Sequence, residues 1–264
     1  MTRRTGWVML LLFPECSIYI KVYGIIKTQR VIAYEKERGR MSNNYIGIFD
    51  IIGPIMVGPS SSHTSGAASI SWMARQILTG TPRKAKFTLY GSFAETYKGH
   101  GTDRALIGGA LGYRSGDIRI RDAYQHAKEE GLEVEIVPDK KTSVSHPNTV
   151  DIELEGDDGH KLLVRGESIG GGRVRIIRLN DIDVDFTGEY STMVVGHEDK
   201  TGTLAFITSR LASYKVNIAF MKLFRDGKGK KAITVIESDE SIPAELTDEL
   251  LEYYTINSVD LIEI

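Results

Sequence analysis

The chain has very little cysteine: Cys16 is the only one in 264 residues. A lone thiol builds no disulfide framework, no zinc site and no iron–sulfur cluster within one chain. Its six histidines, at 63, 100, 126, 146, 160 and 197, show no HxxxH or HExxH spacing, so a zincin-type metal centre has no support. Charge of one sign is also lacking. A formal net charge of -2, with no dense basic run, argues against nonspecific nucleic-acid binding. No apolar run is long enough to span a bilayer, so no membrane role is expected. The apolar run Trp7–Phe13 follows Arg3 and Arg4 as in a signal peptide, but Pro14 and Glu15 end it and no small-residue cleavage site follows. The expected location is therefore cytoplasmic.

What remains is ordinary soluble composition, 41% hydrophobic and 26% charged, with enough length for one large domain or two small ones. Residues 1–40 read differently from the rest. Met41 resembles a natural start, with Glu37-Arg38-Gly39 upstream encodable by a purine-rich ribosome-binding sequence. The expectation is that residues 1–40 are a non-native or disordered extension.

Gly58–Ala67, GPSSSHTSGA, is the most informative segment. It precedes Ile70, Met73, Ala74 and Ile77, a helical i, i+3, i+4, i+7 repeat. Hydroxyl residues cap helices, and a helix N-terminus offers free N–H groups to a carboxylate or phosphate. His63 adds a group that moves a proton near neutral pH. Two readings stand at this point: a capped helix with a surface histidine, or an anion seat with an acid–base group. Other residues are equally two-sided. Asn148 holds a substrate group or makes a turn. His100, between two glycines, is a polar contact or a loop residue. Gly170 and Gly171 permit close backbone approach to a ligand or simply bend the chain. Ser60 reads as a cap, Asp103 and Arg104 as a capping and ion-pair arrangement, and His126, His160 and His197 as solvated surface residues.

Along the chain, a strand is expected at 85–90 and helices at 93–98, 102–111 and 121–130. A strand at 132–137, a hairpin at 149–155 and 161–167, and a strand at 173–179 follow. The polar run 180–188 is the candidate boundary. Beyond it the order is βαββαβ, as in a ferredoxin-like unit. Its strands are expected at 192–196, 216–224, 232–237 and 256–264. One helix carries Leu204, Ile207 and Leu211 on a face; the other starts near Ser241 and Pro243 and carries Leu246, Leu250 and Leu251. The fold class is α+β: an α/β sandwich domain over 41–185, then a ferredoxin-like domain over 190–264. The apolar faces of the tail can close a core of their own, so 41–188 is expected to fold and function without it.

The runs FDIIGPIMVGPSSSHTSGA (Phe49–Ala67), GHGTDRALIGGALG (Gly99–Gly112), SHPNT (Ser145–Thr149) and ESIGGG (Glu167–Gly172) strongly resemble iron–sulfur-dependent L-serine dehydratases. The tail resembles an ACT domain, although Glu198-Asp199-Lys200-Thr201-Gly202 lacks the usual proline of the acidic–Pro–Gly loop. The two-part layout is similar to the beta chain of the two-subunit enzyme. That resemblance implies L-serine ammonia-lyase activity with a separate alpha chain, yielding pyruvate and ammonia. It also implies a [4Fe–4S] cluster held by the alpha chain, and a place in amino-acid catabolism and gluconeogenesis. His63 becomes the candidate catalytic acid or base, and Ser61, Ser62, Thr64 and Asn148 candidate substrate contacts. His100, Gly170 and Gly171 become possible loop contacts, with no metal ligand in this chain. Self-association through the ACT domain is expected. The rival readings are a regulatory module, since the first domain is also similar to the serine-binding domain of some phosphoglycerate dehydrogenases, and a scaffold for the alpha chain. Intact mass of the native protein tests the start site: a species beginning at Met41 is expected, and one beginning at Met1 refutes it.

Overall fold

The computed structural model describes residues 55–263 and a two-residue strand pair, Leu12–Phe13 with Cys16–Ser17. The expectations for Met41 and for most of residues 1–40 lie outside the described residues. The described residues 55–263 belong to one compact unit.

Ser61–Gly66 forms one turn of π-helix and leads directly into α1, Ala67–Ile77. Strand β1 (Pro82–Tyr90) follows, then α2 (Gly91–His100) and α3 (Thr102–Ala110). The expected helix at 121–130 is split into a 3₁₀ segment, Ile118–Asp122, and α4, Ala123–Glu130, which Gly131 ends in the left-handed conformation. Then come β2 (Glu133–Asp139), β3 (Thr149–Gly156), β4 (Lys161–Gly170), β5 (Arg173–Leu179) and β6 (Ile182–Phe186). They form a sheet of order β2-β1-β3-β4-β5-β6, in which only the β1–β2 pair is parallel. A parallel pair needs a long crossover, and α2–α4 supply it.

Alternation sets the two faces of the sheet. Ala85, Phe87 and Leu89 of β1 and Val150, Ile152 and Leu154 of β3 point into the core. Lys84 and Lys86 point outward, where Lys86 meets Glu153 across the strands at 2.8 Å. Exposed pairs of this kind contribute little stability, so the inner face holds the sheet in place. The core lies between that face and α1 and α3. Gly170–Gly172 all have positive φ and make the tight turn from β4 to β5.

The polar run 180–188 is not a simple linker, because its alternating Ile182, Val184 and Phe186 are buried as edge strand β6. The second sheet contains β7 (Ser191–Glu198), β8 (Phe220–Arg225), β9 (Lys231–Ser238) and β10 (Ile256–Ile262), in the order β8-β9-β7-β10. Helices α5 (Thr203–Ser213) and α6 (Glu245–Leu251) cover one face. Two boundaries shift: β8 begins at Phe220 rather than Val216, and α6 begins at Glu245 rather than beside Ser241. His197 is not a solvated surface residue. It is buried, with its ring nitrogens 2.8 Å from Glu198 O and 2.8 Å from Thr234 Oγ1.

The tail closes a core of its own around Ile207, Leu211, Leu246 and Leu250. Its other sheet face does not end in solvent: Val194, Val235 and Ile262 belong to the same apolar cluster as α1 and the first sheet. Arg114 Nη2 donates to Glu263 O at 2.9 Å, and Lys222 Nζ to Asp185 O at 2.9 Å. Removing the tail would therefore uncover apolar surface of the first domain.

Helix α1 sits against β3–β5, α3 and β10 at once. It comes this close because glycines face it. A Cβ at Gly109 would lie 2.5 Å from the carbonyl oxygen of Ala68, and one at Gly166 would lie 2.4 Å from Ile70 Cγ2. Gly99, in α2, has nothing within 4 Å of such a position. Gly109→Ala should destabilise the protein by about 1–3 kcal/mol, because backbone cannot yield as a side chain can. Gly99→Ala should be neutral or stabilising by up to about 1 kcal/mol. Thermal unfolding of the two variants measures the contrast; equal effects would show that α1 and α3 separate freely.

Candidate active site

The Ser-His segment adopts a turn tighter in purpose than a simple helix start. Ser60, extended at φ −138°, caps the π-turn: its hydroxyl accepts from His63 N–H at 3.1 Å, and its carbonyl accepts from Thr64 N–H at 2.9 Å. One-turn π segments occur often at functional sites, because the extra residue redirects side chains out of the helical series. Here it sets His63 across from the start of α2. Gly58, at φ +142°, lies so close to Thr64 that a Cβ there would sit 2.4 Å from Thr64 Cγ2.

His63 is half-buried and contacts hydroxyls through both ring nitrogens. Its Nε2 lies 2.9 Å from Ser92 Oγ, and its Nδ1 lies 3.1 Å from Ser62 Oγ and 3.4 Å from Ser60 Oγ. Either hydroxyl can donate or accept, so both neutral tautomers are accommodated. The ring meets Phe93 edge-on at 5.3 Å and lies tilted against His100 at 4.7 Å. Burial lowers the His63 pKa below its ordinary 6.5, and the neighbouring His100 lowers it further. The imidazole is thus held neutral, with a lone pair ready for a proton.

The other walls are assembled through the backbone. Gly91, at φ +51°, lets the chain turn from β1 into α2 beside Pro147. The Pro147 carbonyl accepts the N–H of Ser92 at 2.7 Å and of Phe93 at 3.4 Å. This contact brings the 145–148 loop to the start of α2. Asn148 then joins that loop to β4, its carbonyl accepting Ser168 N–H at 2.9 Å and its Nδ2 lying 3.5 Å from Ser168 O. Ser168 in turn packs on the π-turn: a Cβ at Gly66 would lie 2.0 Å from Ser168 Oγ. Thr64 Oγ1 donates to the His100 carbonyl at 2.9 Å, tying the turn to the α2–α3 junction.

The structure thus brings Ser61, Ser62, His63, Thr64, His100 and Asn148 into one region. Thr64 is buried and committed to His100, whereas Ser61 and Ser62 stay partly open. Gly170 and Gly171 do not join them through any hydrogen bond of His63; Gly171 instead lines a separate hollow with Trp72 and Arg114. Asp103 is not the cap of α3, whose cap position is Gly101 with no side-chain bond; its Oδ1 accepts the N–H of its neighbour Arg104 at 2.9 Å, and its other oxygen accepts from Tyr124 Oη at 3.0 Å instead of pairing with Arg104.

Sequence reasoning passed over Ser92 and Ser168. Ser92 follows the carboxyl end of a strand, where α/β folds place their sites, and that signal was available. Ser168 lies inside ESIGGG but has no local pattern that marks it. Ser65 Oγ, His100 Nδ1, Thr102 Oγ1, Asn148 Oδ1 and Ser168 Oγ are buried without a hydrogen-bond partner among the described residues. They come from the turn, the α2–α3 junction, the 145–148 loop and the end of β4. Unsatisfied polar atoms gathered in one place mark a site built for something other than stability. Among the described residues no group of three or more His, Cys, Asp or Glu side chains is arranged to hold a metal. With no thiolate in that region either, these residues do not fit as ligands of an iron–sulfur cluster.

The serine dehydratase beta chain family matches residues 47–178, and the ACT domain family matches 191–253. The chain is 43% identical over 206 residues to a probable L-serine dehydratase beta chain of Bacillus subtilis, covering 78% of this chain and 93% of that one. It is 36% identical to an L-serine dehydratase beta chain of Peptoniphilus asaccharolyticus, covering 82% and 97% of the two chains. A D-3-phosphoglycerate dehydrogenase of Methanocaldococcus jannaschii is 23% identical over 86% of this chain but only 42% of its own length. The chain belongs to the serine dehydratase beta chain family and carries a C-terminal ACT domain.

Proposed function

We propose that this chain is the beta subunit of an L-serine dehydratase and, with an alpha chain, converts L-serine to pyruvate and ammonia in the cytoplasm. One observation carries the catalytic part of this reading: a half-buried histidine, held neutral, has hydroxyls on both ring nitrogens at the start of a helical turn. Elimination of water removes a weakly acidic Cα proton and expels the β-hydroxyl. The resulting aminoacrylate tautomerises to an imine, which water hydrolyses to pyruvate and ammonia. The neutral imidazole of His63 suits the first task, taking the Cα proton. Ser62 and Ser92 hold the ring in place and can pass its proton onward. Ser61 and Ser62, with their own backbone N–H groups, suit the substrate carboxylate, and Asn148 a second polar group. The [4Fe–4S] cluster is assigned to the alpha chain, since this chain's described residues do not fit it. The ACT domain is assigned to regulation and self-association.

A purely regulatory serine-binding module is the second reading, favoured by the partial similarity to phosphoglycerate dehydrogenases. It requires an anion seat but no proton acceptor, and His63 separates the two.

His63→Ala should lower kcat/KM of the reconstituted enzyme about 10²–10⁴-fold with unchanged alpha-chain association. Near-normal turnover would return the site to a binding role. A general base works deprotonated, so kcat/KM should rise with pH through a limb whose midpoint lies below 6.5 and then level off. His100→Gln removes one of the two causes of the lowered pKa, and the limb should move upward toward 6.5. An unmoved limb would mean that another group titrates. The chain purified alone should be colourless and inactive, with brown colour and turnover appearing only when the alpha chain is added. Serine turnover by the isolated chain would refute the two-subunit reading.

A further inference from the structure

A cleft of about 510 Å³ lies between the two sheets, outside the His63 region. Its first-domain wall includes Ile77 of α1 and Ile182 of β6; its ACT wall includes Val194 of β7, Ile233 of β9 and Asp260 of β10. The size suits a small organic ligand.

Asp260 is the odd group in this lining. It is half-buried, and among the described residues no hydrogen bond or ion pair reaches its carboxylate, on which burial alone acts. Burial alone pushes its pKa up to about 7. A carboxylate in an apolar setting without a partner is costly, and proteins normally pair it. The charged groups that share the cleft do not do so. Lys231 lies opposite Glu198 on β7, while Asp260 lies opposite Val194. Four residues along the strand is about 13 Å, beyond a direct pair. His160 Nδ1 is engaged with Thr79 Oγ1 at 2.6 Å, and both nitrogens of His197 are taken. Asp181 is exposed and has the same sign. Ser258, on the same face of β10 two residues earlier, adds a hydroxyl acceptor to the lining.

We propose that this inter-domain cleft binds a small primary ammonium ion with an aliphatic body, its charged head on Asp260 and Ser258 and its tail on Ile77, Ile182 and Ile233. With Asp181 exposed, a single half-buried carboxylate in a lining that includes Ile77, Ile182 and Ile233 is a poor site for a hard metal ion, which needs several oxygen ligands, but it matches a head with three N–H donors on an apolar stem. The ligand touches both domains, so it ties the ACT sheet to the first sheet. The ammonium end can belong to a simple amine or to an α-amino acid.

The test is binding, measured on the full chain without turnover, so it is independent of the dehydratase reading. n-Butylammonium chloride should raise the unfolding temperature of the wild type and give a calorimetric isotherm at pH 8; sodium butyrate should do neither. Asp260→Asn should fold at least as stably as the wild type and bind butylammonium about tenfold more weakly or worse. Asp260→Ser serves the same purpose if the asparagine variant fails to fold. Asp181→Asn should bind as the wild type does. Tighter binding of L-norvaline than of butylammonium assigns the site to amino acids, and weaker binding assigns it to simple amines. No butylammonium effect on the wild type, or an equal effect on the Asp260 variants, overturns the proposal.

Discussion

The close seating of helix α1 is the constraint on which the rest depends. Ala67, Ala68, Ile70, Ser71, Met73, Ala74 and Ile77 are all buried, so the helix is enclosed on nearly every side. Such enclosure demands small residues at its crossings, and Gly109 and Gly166 meet that demand. Ser71 Oγ donates to the Leu106 carbonyl at 2.6 Å, which fixes the rotation of α1 against α3. With its axis and rotation set, the turn preceding α1 has no freedom to drift. His63 is therefore placed by packing that begins four residues after it, and that packing includes the ACT sheet through β10.

The site itself is an assembly of chain ends. The π-turn, the start of α2, the 145–148 loop and the end of β4 each expose backbone groups that their own elements leave unpaired. The start of α2, the 145–148 loop and β4 satisfy one another through Pro147, Asn148 and Ser168, and the π-turn joins them through Thr64 Oγ1 on the His100 carbonyl. Hydrogen bonds of this kind contribute modestly when made and cost more when one partner is lost, which makes the assembly cooperative. The polar side-chain atoms left over remain unsatisfied, a cost that a binding site recovers when its ligand arrives.

The ACT domain is both separate and attached. Its own core of Ile207, Leu211, Leu246 and Leu250 belongs to it alone. The opposite sheet face contributes Val194, Val235 and Ile262 to the first domain's core. That double membership gives a route between the domains: whatever shifts the ACT sheet also acts on α1. A half-buried carboxylate and a cleft lie along this same contact, where a small ligand has leverage on both sides.

The local order of elements was legible in the sequence. The i, i+3, i+4, i+7 repeat marked α1, strands were expected over 85–90 and 149–155, where β1 and β3 lie, and Gly170 and Gly171 were expected to bend the chain where β4 ends. Ser60 was readable as a cap, and the serine–histidine run as the chemical segment, because residue type and spacing carry those signals. The sequence did not reveal the π-turn, since one extra residue in a turn leaves no periodic trace. It did not reveal the edge strand β6 inside the boundary run 180–188, which falls between the two family matches, because alternation with aspartates looks polar until one face is covered. It misread His197 as solvated for the same reason: burial of a histidine depends on Thr234, which is distant in sequence and adjacent only across the sheet. The partners of His63 show the division most clearly. Ser60 and Ser62 are near neighbours in sequence, whereas Ser92 and His100 reach the ring only once α2 is held by the carbonyl of Pro147. Short-range chemistry was fixed by residue identity, and long-range pairing was decided by the packing of α1 against the sheet.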